Sequence, residues 1–144
     1  MHPYPHLYTV HASAESTGNV AVTSAGLPTI VTAPPAEFDG PGDLWSPETL
    51  LCAAVSNCFI LSFRAVARAA KVSWTSVACS VEGTLNRVEG RTRFTHMVVK
   101  ATLEAPAGTD EAKARKTLER AEHACLISNS LVAERRLEAT VRIG

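Results

Sequence analysis

The feature that most constrains the fold is an apolar run at positions 50–63, LLCAAVSNCFILSF, which contains no charged residue. Ser46 before it is a good helix N-cap, Pro47 suits the first helical position, and Glu48 complements the helix dipole. These signals predict a helix from Ser46 to about Lys71. Because the run is apolar on nearly all sides rather than along one stripe, the helix must be covered on every side.

The pattern before this helix predicts short strands within residues 6–32, with a hairpin turn at Ala25-Gly26. Residues 33–45 are rich in Pro, Gly and Asp and are expected to form a loop. After the helix, two longer strands are expected at Trp74–Val88 and Arg93–Leu103, joined by a turn at Glu89-Gly90.

The last third of the chain predicts a charged helix, capped by Thr109 and running from Asp110 to about Ala124. A short helix capped by Ser128 is expected within 125–131, and a last strand at 137–143. No repeat is visible in the sequence. The order of elements predicts an α+β fold in a single domain, residues 1–144, with helices on one side of an antiparallel sheet.

Composition and charge exclude several classes of protein. Of the 144 residues, 46% are hydrophobic and 19% charged, which is too apolar for a disordered chain. The net charge is zero, so no nucleic-acid or membrane partner is indicated. All 14 basic residues lie at or after Arg64. The acidic first half is therefore expected to meet the basic second half, within the fold or in a partner subunit.

The N-terminus, MHPYPHLYTV, has neither the basic region nor the apolar region of a signal peptide. The run at 50–63 is interrupted by Ser and Asn, and as a stretch of this length it is too short to span a bilayer. We therefore expect a cytoplasmic protein with reduced thiols. Four cysteines in that compartment favour catalysis, metal binding or simple burial over a disulfide framework.

The cysteines differ in their expected surroundings. Cys58 lies in the middle of the apolar helix, where burial as a small hydrophobic side chain is the simplest interpretation. Cys125 lies at a helix end, where the N–H groups of a following short helix could lower its pKa, although a packing role is as consistent with the pattern. Cys52 and Cys79 lie on apolar faces and are interpreted as core residues.

Metal and cofactor motifs are weak in this sequence. There is no CxxC, HExxH, Gly-rich phosphate loop or GxSxG motif, and His123 with Cys125 makes only an isolated pair. The sequence therefore predicts neither a metal nor a bound cofactor.

Two segments together resemble the OsmC/Ohr family, named for osmotically inducible protein C and the organic hydroperoxide resistance protein. In SPETLLCAAVSNCF a Pro-Glu pair opens the helix, and Cys58 follows Glu48 by ten residues. In AEHACLISNS, Cys125 is closely followed by Ser-Asn. The resemblance implies an OsmC-like fold, with antiparallel sheets packed around a long central helix in an intertwined homodimer.

The same resemblance implies a thiol peroxidase that reduces organic hydroperoxides to alcohols. Cys58 would be the peroxidatic cysteine, Cys125 the resolving cysteine, and Glu48 the glutamate of the site. Regeneration would come from a small dithiol or a lipoyl-type thiol, with no bound redox cofactor. The alternatives are a non-enzymatic module of the same fold that binds an apolar small molecule, and a structural dimer with inert cysteines.

Two positions depart from the family pattern. Leu126 stands where members often have Pro directly after the second cysteine. The N-terminal region also lacks the Arg that in many members stabilises the thiolate. Because an apolar setting would raise the Cys58 pKa, an active enzyme is expected to place a cation near the sulfur. Arg91 or Arg93 is the expected source, held by Glu48 in a site built across the dimer interface.

Overall fold

The computed structural model describes all 144 residues. It divides into two compact units, Met1–Leu50 and Leu51–Gly144. The elements in chain order are β1 (His11–Ser13), β2 (Val20–Thr23), β3 (Ile30–Thr32), a 3-10 turn (Ala36–Phe38), α1 (Pro47–Ala70), β4 (Ser76–Val88), β5 (Arg91–Ala105), α2 (Glu111–Ala124), α3 (Leu126–Asn129) and β6 (Glu134–Ile143).

The first unit contains an antiparallel sheet of three short strands in the order β1-β2-β3. The turn between β2 and β3 is closed by the Leu27 N–H donating to Ser24 O at 3.1 Å, and Gly26 adopts φ 77° there. The predicted hairpin is thus confirmed, whereas residues 6–10 form no strand. Ala33 is the only buried hydrophobic residue of this unit. Strands this short have no core of their own.

The start of α1 is fixed by a reciprocal pair of hydrogen bonds. The Thr49 N–H donates to Ser46 Oγ at 3.1 Å, and the Ser46 N–H donates to Thr49 Oγ1 at 2.9 Å. Ser46 is therefore the N-cap, as predicted, with a hydroxyl in the place of the more usual Glu or Gln of a capping box. The helix ends at Ala70, one residue earlier than predicted, because Lys71 takes the left-handed conformation with φ 56°.

The second unit contains a three-stranded sheet in the order β4-β5-β6. β4 and β5 form a long antiparallel hairpin, and β6 pairs parallel to β5. The predicted α+β class is confirmed. β6 begins at Glu134, three residues before the predicted strand.

The core of the second unit lies between α1, the sheet and α2. Only one stripe of α1 is buried, with a spacing of four residues: Val55, Phe59, Phe63 and Ala67. It joins one cluster with buried residues of β5 and α2, including Leu103 and Leu118. Val77, Cys79 and Val81 of β4 share the half-buried face that packs against it, as the alternation predicts.

The two N-cap residues predicted in the last third of the chain are both wrong. Asp110, not Thr109, caps α2, because its carboxylate accepts the Lys113 N–H at 3.1 Å. The N-cap of α3 is Cys125, not Ser128, because Cys125 ends α2 in an extended conformation with φ −63° and ψ 103° and α3 starts at the next residue.

α1 has 24 residues and is long and apolar enough, by length and composition alone, to cross a membrane. The apolar run at 50–63, which is too short to span a bilayer, makes up only part of this helix. The central helix of a water-soluble protein passes the same test, and the buried stripe of α1 packs against the core of the second unit.

Candidate functional site

Cys58 and Cys125 meet in the second unit, although 67 positions separate them in the sequence. The two thiols are close enough for each to shift the pKa of the other. Cys58 is half-buried, and its Sγ lies 3.9 Å from the Ser62 hydroxyl one turn later on α1. Cys125 has no exposed surface, and its Sγ lies 3.9 Å from Val55 O. The pair therefore combines a half-buried residue with a fully buried one.

The first turn of α3 divides its free amide groups between the two sulfurs. A helix leaves the N–H groups of its first residues without partners inside the helix. Here the Leu126 and Ile127 N–H groups face Cys58, and the Ser128 N–H faces Cys125. The sequence-based expectation placed these amides at Cys125 alone. Two of the three N–H groups face Cys58 instead.

The pKa of the Cys58 thiol lies below its ordinary value. Burial raises this pKa. Hydrogen bonds from the Ile127 N–H, the Cys125 thiol, the Ser62 hydroxyl and the Leu126 N–H together lower it by more than burial raises it. All of these groups are neutral. Within the single chain the turn into α3 therefore supplies dipoles that lower this pKa, and the cation expected near Cys58 stays a prediction.

The pKa of the Cys125 thiol lies above its ordinary value. Burial is the main cause, and the neighbouring Cys58 raises the pKa further, while the hydroxyl and N–H of Ser128 oppose both effects. The two thiols of the pair are thus shifted in opposite directions. Cys58 is the one that ionises first as the pH rises.

The Ser128 side chain is enclosed with the pair. Ser128 is 1% exposed, and its hydroxyl has no hydrogen-bond partner in the reduced protein. It nevertheless lies beside Cys125, where it is placed to donate to a thiolate. Buried hydroxyls without a partner are rare, and each one calls for an explanation.

The other two cysteines lie in less favourable surroundings for ionisation. Burial raises the pKa of Cys52, with partial compensation from the Gly83 N–H. Burial, with the charges of Glu122 and Cys125, raises the pKa of Cys79 to about 11. Both thiols remain protonated at neutral pH.

Glu48 lies in the first turn of α1, ten residues and about 15 Å along the helix axis from Cys58. Its Oε2 is buried and has no hydrogen-bond partner within the chain. Arg91 and Arg93, at the start of β5, are exposed, and neither forms an ion pair within the chain. The roles assigned to Glu48 and to these arginines stay predictions.

A group that the sequence analysis did not identify holds the corner between α2 and α3. Arg135 on β6 donates to Glu122 Oε1 at 2.8 Å, to the Glu122 carbonyl oxygen, and to Asn129 Oδ1 at 2.6 Å. Asn129 in turn donates to His123 O at 3.2 Å. One guanidinium thus joins the last turn of α2 to α3, on either side of Cys125. Arg135 and Glu122 gave no signal in the sequence, whereas Asn129 belongs to the Ser-Asn pair that follows Cys125.

Comparison with known proteins places this geometry in a family. The model of the OsmC-like protein family matches residues 40–140. A curated relative, the uncharacterised Bacillus subtilis protein YmaD, is 29% identical over 115 residues, covering 76% of this chain and 77% of that protein.

Solved structures share the fold over nearly the whole chain. An OsmC-like protein of unknown function from Vibrio cholerae superposes with a TM-score of 0.85 at 18% identity, covering 94% of this chain and 99% of that one. Organic hydroperoxide resistance proteins from Legionella pneumophila and Elizabethkingia anophelis each give a TM-score of 0.76 at 24% identity. They cover 96% and 98% of this chain and 98% and 100% of their own. The chain belongs to the OsmC-like protein family.

Proposed function

We propose that the protein is a thiol peroxidase that reduces organic hydroperoxides to alcohols and serves in defence against oxidative stress. The observation that carries the proposal is the adjacent pair of thiols whose pKa values are shifted in opposite directions. A peroxidatic cysteine must be ionised to attack, whereas a resolving cysteine can wait in its protonated form. Family membership and the named hydroperoxide resistance proteins among the structural relatives support the same activity.

In the first step the Cys58 thiolate attacks the distal oxygen of the hydroperoxide. The O–O bond breaks, a new S–O bond leaves Cys58 as a sulfenic acid, and the alkoxide takes up the proton that the Cys58 thiol released. The amides of Leu126 and Ile127 hold the thiolate before the attack. They do so without a bound cofactor.

In the second step Cys125 resolves the sulfenic acid. Its sulfur attacks the Cys58 sulfur, the S–O bond breaks, and the hydroxyl leaves as water with the proton of the Cys125 thiol. The product is an intramolecular disulfide between Cys58 and Cys125. The two thiols are close enough to shift each other's pKa, and the bond requires their Cα atoms to come within about 7 Å.

The surroundings of Cys58 favour an organic hydroperoxide over hydrogen peroxide. Leu61, one turn after Cys58 on α1, is 52% exposed, and Leu126, whose N–H faces Cys58, is 65% exposed. An alkyl tail that covers these side chains gains the free energy of apolar burial, about 25 cal/mol per Å². Hydrogen peroxide has no such tail.

The remaining partners follow from the same proposal. A small dithiol or lipoyl-type thiol returns the disulfide to the reduced state, and the protein acts in the cytoplasm, where thiols are kept reduced. Residues 1–144 act as one domain in an intertwined homodimer. The support for a homodimer is exposed apolar surface, which includes Ile30, Val31 and Trp45 in a unit that has almost no buried side chain.

The test is a thiol count after one equivalent of cumene hydroperoxide is added to the reduced protein. The proposal expects rapid loss of two thiols and a Cys58–Cys125 link in the peptide map. Cys58→Ser should abolish peroxide consumption. Cys125→Ser should allow one turnover and leave Cys58 as a sulfenic or over-oxidised acid. An equal rate with hydrogen peroxide would contradict the substrate class.

Cys52→Ser is the matched control, because this half-buried thiol lies on the same helix with a raised pKa. It should leave the loss of two thiols unchanged. If wild-type protein loses no thiol, the peroxidase is excluded. The alternative, a non-enzymatic module that binds an apolar small molecule, would then be tested by binding of the corresponding alcohol.

A further inference from the structure

The enclosed hydroxyl of Ser128 points to the chemistry of the reduction half-reaction. The hydroxyl has no hydrogen-bond partner while the cysteines are free, and its residue is 1% exposed. Such a group has lost its hydrogen bonds to water without replacement, at a cost of about 1–3 kcal/mol. The cost is recovered in any state in which a neighbouring group becomes an acceptor. The neighbour is Cys125, the N-cap residue of α3, three positions before Ser128 in the same short helix.

The two sulfurs of the pair differ in access. A thiolate that reduces a disulfide approaches one sulfur in line with the S–S bond, from the side opposite the departing sulfur. Approach to Cys58 comes from outside, because that residue is half-buried and has exposed Leu61 and Leu126 beside it. Approach to Cys125 would have to pass through the core, since Cys125 is 0% exposed and lies against Val55 O.

We propose that an external dithiol attacks Cys58 of the oxidised pair, that Cys125 is the leaving sulfur, and that the Ser128 hydroxyl donates a hydrogen bond to the departing Cys125 thiolate. This inference rests on the disulfide of the proposed function. It adds the direction of the exchange and a role for a serine to which no part of the peroxidase chemistry is assigned.

One thiolate of the dithiol forms a bond to Cys58 Sγ, the Cys58–Cys125 bond breaks, and its electron pair stays on Cys125 Sγ. The second thiol of the dithiol then attacks the dithiol sulfur of the mixed disulfide and releases Cys58 as a thiolate. The dithiol leaves as a cyclic disulfide, and its two protons restore the two protein thiols.

The pKa values of the two thiols favour the opposite direction of attack, so the two directions can be distinguished by experiment. The better leaving group of a disulfide is the thiol of lower pKa, here Cys58. The direction we propose therefore requires the better access to Cys58 to outweigh its advantage as a leaving group. A hydrogen bond from the Ser128 hydroxyl reduces that difference, because it stabilises the Cys125 thiolate. The Ser128 N–H faces the same sulfur and acts in the same sense. Without the hydroxyl, expulsion of Cys125 should be slower.

The direction of attack is tested by trapping on the wild-type protein. The disulfide is formed with diamide, so that the test does not depend on peroxide activity, and is then treated with 2-mercaptoethanol and with excess N-ethylmaleimide at neutral pH. The expected product carries mercaptoethanol on Cys58 and the alkyl group on Cys125. A mercaptoethanol adduct on Cys125 overturns the inference. Failure of diamide to form the disulfide overturns it as well, whereas failure with peroxide alone removes only the proposed function.

The role of Ser128 is tested by the rate at which dithiothreitol reduces the diamide-formed disulfide. Ser128→Ala should slow this reduction about tenfold, the effect of one hydrogen bond to a charged acceptor. Ser128→Thr, which keeps a hydroxyl, should recover most of the rate. Ser130→Ala is the matched control, because that hydroxyl is exposed and donates to Leu126 O. A wild-type rate in Ser128→Ala overturns the role of the serine, and the trapping result stands even if this variant fails to fold.

Discussion

Arg135 donates from Nε to Glu122 Oε1 at 2.8 Å across the corner that carries Cys125, and the carboxylate is the more deeply buried partner. The other oxygen of Glu122 has no hydrogen-bond partner at all. Removing the guanidinium leaves the nearly buried carboxylate of Glu122 without a charged partner. Losing one partner of a buried ion pair in this way destabilises the folded state strongly. The group therefore matters more for the geometry of the corner than exposed ion pairs do.

Arg135→Gln is expected to lower the free energy of unfolding by about 2–3 kcal/mol. This loss is smaller than that expected for a fully buried ion pair, because the guanidinium is partly exposed. Urea unfolding measures the change. Arg136→Gln is the control, since its ion pair with Glu138 is exposed and should contribute less than about 1 kcal/mol. Equal losses in the two variants would show that the corner does not depend on Arg135.

Gly83 on β4 is expected to tolerate no side chain. A Cβ there would lie 2.9 Å from Cys52 Sγ and 2.9 Å from Phe94 Cε1. Gly83→Ala should destabilise the protein by about 1–3 kcal/mol through overpacking. Adding Cys52→Ala removes one of the two clashes, so the double variant should be more stable than the sum of the two single losses predicts. Additive losses in urea unfolding would show that α1 does not restrict this position.

Much of the fold follows from local signals in the sequence. The Ser46 cap, the apolar run and the alternation on β4 each act within one element, and each predicted its element correctly. The caps of α2 and α3 were misassigned because Thr109, Asp110 and Ser128 are all good capping residues, and neighbouring candidates differ only in backbone geometry. The parallel pairing of β6 depends on tertiary contacts that no local pattern records.

The candidate site was predictable only through motif resemblance. Nothing in the periodicity brings Cys58 to Cys125, because the approach depends on how α2 and α3 pack against α1. The low Cys58 pKa was missed for the same reason. Sequence reasoning considered side-chain cations, whereas the groups that act are backbone amides of a short helix and the Ser62 hydroxyl. Only Ser62, four residues after Cys58, could have been found from helical spacing.

The opposite pKa shifts predict an order of alkylation with pH. Iodoacetamide reacts with thiolates, so the rate at each cysteine falls as the pH drops through its pKa. The midpoint for Cys58 should lie below the ordinary thiol value and that for Cys125 above it. Ser62→Ala should move the Cys58 midpoint upward, while Ser56→Ala, whose hydroxyl donates to Ala53 O, should not. A Cys125 midpoint below that of Cys58 would reverse the assignment of roles.

The proposed homodimer predicts a mass of twice the 15.3 kDa chain in light scattering at micromolar concentration. Val31 is an exposed valine on β3, in the unit with almost no buried side chain. If a second copy covers it, Val31→Lys should shift the protein toward monomer, because a charge would be buried without a partner. Ser16→Lys adds the same charge in an exposed bend and should leave the mass unchanged. A stable wild-type monomer would refute the dimer.

The buried Oε2 of Glu48 has no hydrogen-bond partner within the chain. Residues 1–63 contain no Lys or Arg, so a lysine or arginine partner comes from residues 64–144 of this chain or of a second copy. Arg91 and Arg93 are exposed and form no ion pair within the chain. Arg91→Ala or Arg93→Ala should slow peroxide reduction at least tenfold, about 1.4 kcal/mol of transition-state stabilisation. Arg87→Ala, an exposed arginine of the same hairpin, should leave the rate unchanged.

A mixing experiment decides whether that arginine acts across the dimer. Cys58→Ser lacks the nucleophile, and the slow arginine variant keeps it. In a heterodimer of the two, the intact arginine of the Cys58→Ser chain can serve Cys58 of the other chain. Exchange of subunits should therefore raise the rate above that of either variant alone. No gain after confirmed exchange would place the arginine in the same chain as its Cys58. Wild-type rates in Arg91→Ala and Arg93→Ala would show that the amides of α3 suffice and that no cation is needed.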